Sequence, residues 1–193
     1  MKILPLLLAL LLCFTCVSSC SQKVRTDAPP SDAAAVSFDP TVYYARDGRM
    51  RFLYDAKSDM LSASEGYDIA ALYSGTVYSL VFQYTEGTVS RKDADRAIRE
   101  EFSAGTMMKL SDKTTAVTVS GHTFRRAEIT CADGSTGAVF YGSTETGYAK
   151  IYYLLAADAD ANTRSHVEEI LSTVSFAEFE QSWDDTDTKI WID

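Results

Sequence analysis

The sequence predicts an α+β fold in which an antiparallel β-sheet is flanked by helices. From residue 42 onward, short stretches alternate apolar and polar side chains, which is typical of half-buried strands. Two other stretches repeat apolar residues every three or four positions, as amphipathic helices do. Because the strands follow one another in groups and the helices stand apart from them, the order favours helices segregated on an antiparallel sheet.

The first segment has the pattern of a bacterial secretion signal. Lys2 precedes the apolar run "ILPLLLALLL", which is too short for a membrane-spanning helix of about 20 apolar residues. The residues Val17, Ser18, Ser19 and Cys20 follow, and this sequence resembles the bacterial lipobox. The resemblance implies cleavage before Cys20 and attachment of lipid to its sulfur. The alternative is ordinary secretion with cleavage at the same small residues.

These signals divide the chain into four parts. We expect a signal peptide at 1–19, a lipidated cysteine and flexible linker at 20–41, one α+β domain at 42–177 and an acidic tail at 178–193. The linker assignment rests on small, polar and proline-bearing residues without a period. The expected location is the bacterial cell envelope, with the domain outside the cytoplasm and the lipid anchored in the membrane.

The first strands are predicted from alternation. In "RMRFLY", Met50, Phe52 and Tyr54 alternate with Arg49 and Arg51, which indicates a strand with one buried face. The stretches "YDIAALYS" and "VYSLVFQYT" follow and are separated by a glycine, so we expect a hairpin-connected pair of strands.

The first helix is predicted to begin at Ser90, which forms a capping-box-like start with Asp93. Gly105 is expected to end it. The predicted apolar stripe consists of Ala94, Ala97, Ile98 and Phe102.

The second half of the domain predicts two more hairpins and a helix. "TAVTVSGHTFRRAEITC" indicates a strand, a Ser-Gly turn and a strand, and "GAVFYG" with "GYAKIYYLLAA" indicates another hairpin. In the first hairpin, Ala127, Ile129 and Cys131 share a face. The last helix is expected over about 161–173. Its predicted inward residues are Val167, Ile170 and Leu171.

The net charge excludes some partners. The formal net charge is −9, and removal of Lys2 with the signal peptide makes it one unit more negative. Such a chain repels phosphate backbones, so we expect no nucleic-acid partner. An anionic membrane surface does not attract it either, so the predicted link to the membrane is the lipid.

One segment has the spacing of a calcium loop. In "DADANTRSHVEE", Asp158, Asp160, Asn162 and Glu169 fall at positions 1, 3, 5 and 12 of an EF-hand-like loop. Thr163, however, stands where the sharp turn needs glycine. The alternative interpretation is that Asp160 or Asn162 caps the last helix, and we expect no metal site.

The sequence predicts a protein without catalytic activity or cofactor. It has two histidines, and we expect both to be structural: His122 in a tight turn, where it should be exposed to solvent, and His166 near the polar side of the last helix. No hydrolase, metalloprotease, phosphate-binding or dinucleotide-binding motif accompanies them. Cys131 is expected to act as a small core residue instead of a nucleophile.

Aromatic residues leave an alternative open. The chain has eleven tyrosines, which suit either a recognition surface or the face of a sheet. Trp183 and Trp191 lie in the acidic tail, and we expect this tail to dock on the domain because exposed tryptophans are unfavourable.

The order of elements resembles the PsbP-like family, named for an extrinsic subunit of the oxygen-evolving photosystem and shared by many small bacterial lipoproteins. The resemblance covers about residues 42–177. It lies in "RMRFLYD", "SRKDADRAIREEF", "VTVSGHTFRRAEI" and "VEEILSTVSF". It implies an α/β/α sandwich and a binding, accessory or assembly role with an envelope protein as partner. The alternatives are a lipoprotein that binds a glycan or peptide through an aromatic face and a hydrolase without a recognisable motif.

Overall fold

Two antiparallel sheets and two helices make up the part of the chain that the structure describes. The structure is a computed structural model, and it describes residues 35–45, 49–63, 69–75, 77–103 and 107–177. In chain order its elements are β1 (Thr41–Tyr44), β2 (Met50–Tyr54), β3 (Met60–Ala63), β4 (Ile69–Ser74), β5 (Tyr78–Glu86), α1 (Arg91–Ser103), β6 (Met108–Val119), β7 (His122–Cys131), β8 (Thr136–Ser143), β9 (Gly147–Leu155), α2 (Ala161–Ser172) and β10 (Ser175–Phe176).

The larger sheet has seven strands in the order β3-β4-β5-β9-β8-β7-β6. Three predicted hairpins are confirmed in it: β4 with β5, β6 with β7, and β8 with β9. The pairing of β5 with β9 joins the two halves of the sheet. The smaller sheet has three strands in the order β1-β2-β10, and in it β10 pairs with β2.

The main core lies between the large sheet on one side and the small sheet with α2 on the other. Phe52 of β2 stacks on Phe82 of β5 with ring centroids 3.9 Å apart, and both side chains are fully buried. Met50 and Tyr54 are also buried, so the predicted inward face of "RMRFLY" is confirmed. Burial of one such side chain contributes about 1.5–3 kcal/mol to stability.

A second core lies on the opposite face of the large sheet, beneath α1. Ala94, Ile98 and Phe102 are buried there, as predicted, against Ile129 and Val139 of the sheet. Ala97 was predicted to share this face, but it is exposed because it lies outside the part of the helix that packs on the sheet. With helices on both faces of the sheet, the α+β sandwich predicted from the sequence is confirmed.

Both helices begin where the sequence predicts. The Ser90 hydroxyl accepts a hydrogen bond from the Asp93 amide at 3.2 Å and donates to the Asp93 carboxylate at 2.6 Å. Asp160 caps α2, because its carboxylate accepts from the Thr163 amide at 2.7 Å. Such caps satisfy amides that have no partner inside the helix.

The predicted turn between β6 and β7 is confirmed. Ser120 and Gly121 have φ values of 50° and 78°. Two consecutive residues with positive φ are characteristic of the two-residue turns that match the twist of a hairpin.

Some sequence predictions lie outside the described residues. These are the signal peptide at 1–19, the lipidated Cys20, the end of the first helix at Gly105 and the acidic tail at 178–193. The described part of the range predicted as a linker, residues 35–41, packs on the domain: Phe38 contacts the main core and Thr41 begins β1.

Candidate functional site

His166 lies beside a buried aspartate at one end of the large sheet. There the first turns of α2, the turn between β2 and β3, and the start of β5 meet. They bring together His166, Asp59 and Tyr78, and His166 lies 107 residues from Asp59 in the sequence. We call these three residues the aspartate–histidine cluster.

Asp59 has several partners. Its side chain is fully buried, and its Oδ1 lies 3.0 Å from His166 Nε2 and accepts from the Tyr78 hydroxyl at 2.5 Å. Oδ1 also accepts from the Ser58 hydroxyl at 3.2 Å, and Oδ2 accepts from the Asp55 amide at 3.0 Å. The carboxylate is therefore held by hydrogen bonds from three different parts of the chain.

The pKa changes in this cluster favour a charged pair, protonated His166 and ionised Asp59. The hydrogen bond to Asp59 raises the pKa of His166 more than burial lowers it. Burial by itself would raise the pKa of Asp59, but the hydrogen bonds from His166, Tyr78 and the Asp55 amide lower it overall. Burial and then the bond to Asp59 raise the pKa of Tyr78 far above its usual value, so this hydroxyl remains a donor.

The N-terminal segment rests on the same end of α2. The Phe38 ring meets the His166 ring edge-on, with centroids 5.2 Å apart and an interplanar angle of 74°. The Glu169 carboxylate, one turn further along, accepts from the Ser37 hydroxyl at 2.7 Å and also from the Ser37 amide. The residues that lead towards Cys20 in the sequence thus dock beside the aspartate–histidine cluster.

The four residues with the spacing of calcium ligands have other roles in the structure. Asp160 caps α2, and Asn162 lies in the first turn of that helix, where the EF-hand-like spacing would need an extended loop. Glu169 binds Ser37, and Asp158 is exposed in the preceding turn. Within the described ranges, no three His, Cys, Asp or Glu side chains are grouped as metal ligands. The capping interpretation of Asp160 is therefore the one that the geometry supports.

A second polar group lies beneath α1. Asp95 accepts from the Tyr141 hydroxyl at 2.8 Å, and Arg125 Nε lies 3.1 Å from the same Asp95 oxygen. Lys150 and Glu101 form a further pair, with Nζ 2.6 Å from Oε1. We call Asp95, Arg125 and Tyr141 the aspartate–arginine cluster.

Cys131 behaves as the sequence predicts. It is half-buried and packs against the core beneath α1. Burial, and then the charge of Asp133, raises the pKa of its thiol. A raised pKa disfavours the thiolate, which is the nucleophilic form.

Both histidines depart from their predicted surroundings. His122, expected to be exposed in a turn, begins β7, is half-buried and has its ring centroid 6.1 Å from that of Phe176. His166, expected near the polar side of the last helix, faces Asp59. A signal was present in the sequence, because His166 stands four residues before the inward Ile170 and so lies on the same stripe. No pattern in the sequence pointed to Asp59.

Comparison with known proteins assigns the fold. No protein-family model matches the chain, and neither does any curated protein. The chain is similar to the solution structure of cyanobacterial PsbP (CyanoP) from Synechocystis sp. PCC 6803, with a TM-score of 0.54 and 11% identity over 77% of this chain and 100% of that one. The fold is therefore PsbP-like.

Two further solved structures show weaker likeness. A mutant of the protein Mog1 has a TM-score of 0.46 and 9% identity over 72% of this chain and 96% of that one. LpqN, which is involved in cell envelope biogenesis of Mycobacterium tuberculosis, has a TM-score of 0.35 and 11% identity over 73% of this chain and 86% of that one. At these scores neither adds to the assignment of the fold.

The described helices give no transmembrane segment. None of them is both long enough and apolar enough to cross a membrane.

Proposed function

We propose that this chain is a lipid-anchored, extracytoplasmic PsbP-like domain of the bacterial envelope that binds or helps to assemble another envelope component and has no catalytic activity. The lipobox-like residues before Cys20 support the anchor, and the PsbP-like fold supports the accessory role. The observation that carries the proposal is that the side chains of the aspartate–histidine cluster hydrogen-bond to one another.

A catalytic histidine needs one ring nitrogen for the reacting group and a partner that orients the other. His166 binds Asp59 through Nε2, at 3.0 and 3.1 Å from the two carboxylate oxygens. On its other sides the ring meets Phe38 and the more distant Tyr78 ring. No serine, threonine or cysteine side chain in the described part of the chain is hydrogen-bonded to the ring, and its neighbours hold α2 in place, so the cluster supports a structural role in a binding domain.

The two other nucleophile or base candidates support the same proposal. Tyr78 donates a hydrogen bond to Asp59, and its raised pKa keeps the phenol protonated near neutral pH, so it cannot act as a base there. The raised pKa of Cys131 disfavours the reactive thiolate.

The alternative of a glycan- or peptide-binding aromatic face has less support. Each tyrosine and phenylalanine in the described part of the chain is buried or half-buried. Among the described residues, the closest pair of rings is Phe52 and Phe82, which stack inside the main core. Aromatic rings here fill the sheet faces, which was the other interpretation of the tyrosine content.

The anchor is tested by Cys20→Ser with Ser21→Ala as the matched control. We expect the wild type and Ser21→Ala to be labelled by a radioactive fatty acid and to pellet with membranes. We expect Cys20→Ser to lose the label and leave the membrane fraction, since the thioether forms only on that sulfur. Equal labelling of all three proteins would overturn the anchor.

The binding role is tested on membranes that have been solubilised with a mild detergent. A tagged wild-type chain should retain an envelope protein that an equally abundant Cys20→Ser chain, kept away from the membrane, does not. That protein, once purified, should then bind the purified domain directly with a measurable Kd. Retention of the same proteins by both chains, or no direct binding, would overturn the binding proposal.

A further inference from the structure

Three polar or aromatic contacts hold the segment Ser37–Asp39 on the domain, in addition to the packing of Phe38 against the main core. Glu169 binds Ser37, the His166 ring packs on Phe38, and Lys57 lies 2.9 Å from the Asp39 carboxylate. The last pair is exposed at both ends, so it adds little. Besides its core packing, the segment is therefore held mainly by α2, whose His166 ring meets the Phe38 ring.

We propose that residues 37–39 form a latch on α2 that is closed while His166 is protonated and loosens when His166 loses its proton. We call this segment the N-terminal latch. It is a conformational device that goes beyond the proposed binding role.

The charges around His166 support this device. The ionisable groups that face it are Asp59 and Asp55 on the β2–β3 turn, Tyr78 on β5, and Glu169 on its own helix. Three of these are acids and the fourth is a neutral phenol. The imidazolium is the cation that contacts the buried Asp59, whereas Lys57, exposed on the same turn, lies near Asp55 and pairs with Asp39.

Loss of the proton leaves Asp59 without its cationic partner. Asp59 has a fully buried side chain, and its lowered pKa keeps it ionised. A buried carboxylate without a cationic partner is strongly unfavourable, so α2 and the β2–β3 turn no longer attract each other as before. Phe38 packs on the His166 ring, which joins these two elements. When the two elements separate, the packing of Phe38 therefore weakens.

The sign of the pH dependence follows from the direction of the pKa change. The pKa of His166 is raised in the folded protein, so the stabilisation is fully present below the unfolded pKa of about 6.5. It is lost as the pH rises through the raised folded value. The N-terminal latch is therefore closed in mildly acidic solution and loosens towards alkaline pH.

Opening would change how far the domain can move from the membrane. Each freed residue adds up to about 3.3–3.6 Å of extended chain, so residues 37–39 would add at most roughly 10–11 Å. This consequence rests on the proposed lipid anchor at Cys20, whereas the N-terminal latch itself does not.

Hydrogen–deuterium exchange on the full chain tests the proposal. After correction for the intrinsic pH dependence of exchange, amides of residues 37–39 in the wild type should exchange severalfold faster at pH 9 than at pH 6. His166→Gln should remove this difference. His122→Gln, the matched control at the opposite end of the sheet, should keep it.

Three results would overturn the proposal: no corrected pH difference in the wild type, an unchanged difference in His166→Gln, or its loss in His122→Gln.

If His166→Gln does not fold, Phe38→Ala replaces it. That variant keeps the His166–Asp59 pair and should exchange rapidly in residues 37–39 at both pH values while the sheet amides, including those of β1, stay protected. Slow exchange there would also overturn it. The same measurement on Cys20→Ser should give the wild-type result, so failure of the anchor and failure of the N-terminal latch are distinguishable.

Discussion

The aspartate–histidine and aspartate–arginine clusters are built from the same kinds of groups in different environments. In each, an aspartate accepts a hydrogen bond from a tyrosine hydroxyl and faces a cation. The Asp59 side chain is fully buried, whereas that of Asp95 is 32% exposed. The cation also differs, because histidine can lose its charge near neutral pH and arginine cannot.

This difference determines what each cluster can contribute. At Asp95, water and dissolved ions screen the attraction, so the pair contributes about 1 kcal/mol or less. At Asp59, loss of one partner leaves other buried groups without a hydrogen bond, which is far more unfavourable. The buried cluster is therefore the one on which stability and pH response depend.

The largest expected effect is that of Asp59→Ala. The change leaves the Tyr78 hydroxyl, the Asp55 amide and the His166 charge without their acceptor, so we expect the free energy of unfolding to fall by about 3–5 kcal/mol. Urea denaturation followed by circular dichroism measures it. Asp95→Ala is the matched control and should cost about 1 kcal/mol. Equal losses in the two variants would mean that burial does not separate the clusters.

A smaller effect is expected for Tyr78→Phe, which removes a single hydroxyl and keeps the ring. The lost hydrogen bond has a charged acceptor, so the free energy of unfolding should fall by about 1.5–3 kcal/mol. Tyr141→Phe removes the corresponding bond to the half-exposed Asp95 and should cost less, because water can replace the hydroxyl. A larger loss in Tyr141→Phe would reverse the proposed order.

The smallest effect concerns pH. Wild-type stability should contain a contribution that is present below about pH 6.5 and declines as the pH rises through the raised pKa of His166. The decline is smaller than the loss in Asp59→Ala, because a neutral imidazole can still donate a hydrogen bond. Unfolding curves between pH 5 and 9 should show it in Arg125→Gln and not in His166→Gln. A decline in His166→Gln and none in Arg125→Gln would mean that His166 is not the source of the pH response.

Local patterns were sufficient for most elements of the fold. The alternation of Met50, Phe52 and Tyr54 predicted an inward face because side chains on a strand alternate between its two faces. Ser90 and Asp160 predicted helix starts because a side-chain oxygen can satisfy the first amides. These predictions succeeded because each depends on residues close together in the sequence.

Long-range pairing was not predictable in this way. The β10 strand has two residues and lies against β2, more than a hundred residues away, so no local period indicates it. Docking of Phe38 on His166 likewise joins a segment predicted as a linker to the last helix. Both depend on where the sheet brings the ends of the domain.

By itself the sequence determined the α+β class, the hairpins, the helix caps, the acidic charge and the lipobox-like residues before Cys20, since each follows from composition or local spacing. Only the tertiary structure decided that Asp59, Tyr78 and His166 form one buried cluster and that Asp95 meets Arg125 near the surface. Electrostatic interactions depend on distance and burial, which the folded chain sets. The same residue types therefore form a pH-responsive junction in one place and a screened surface pair in another.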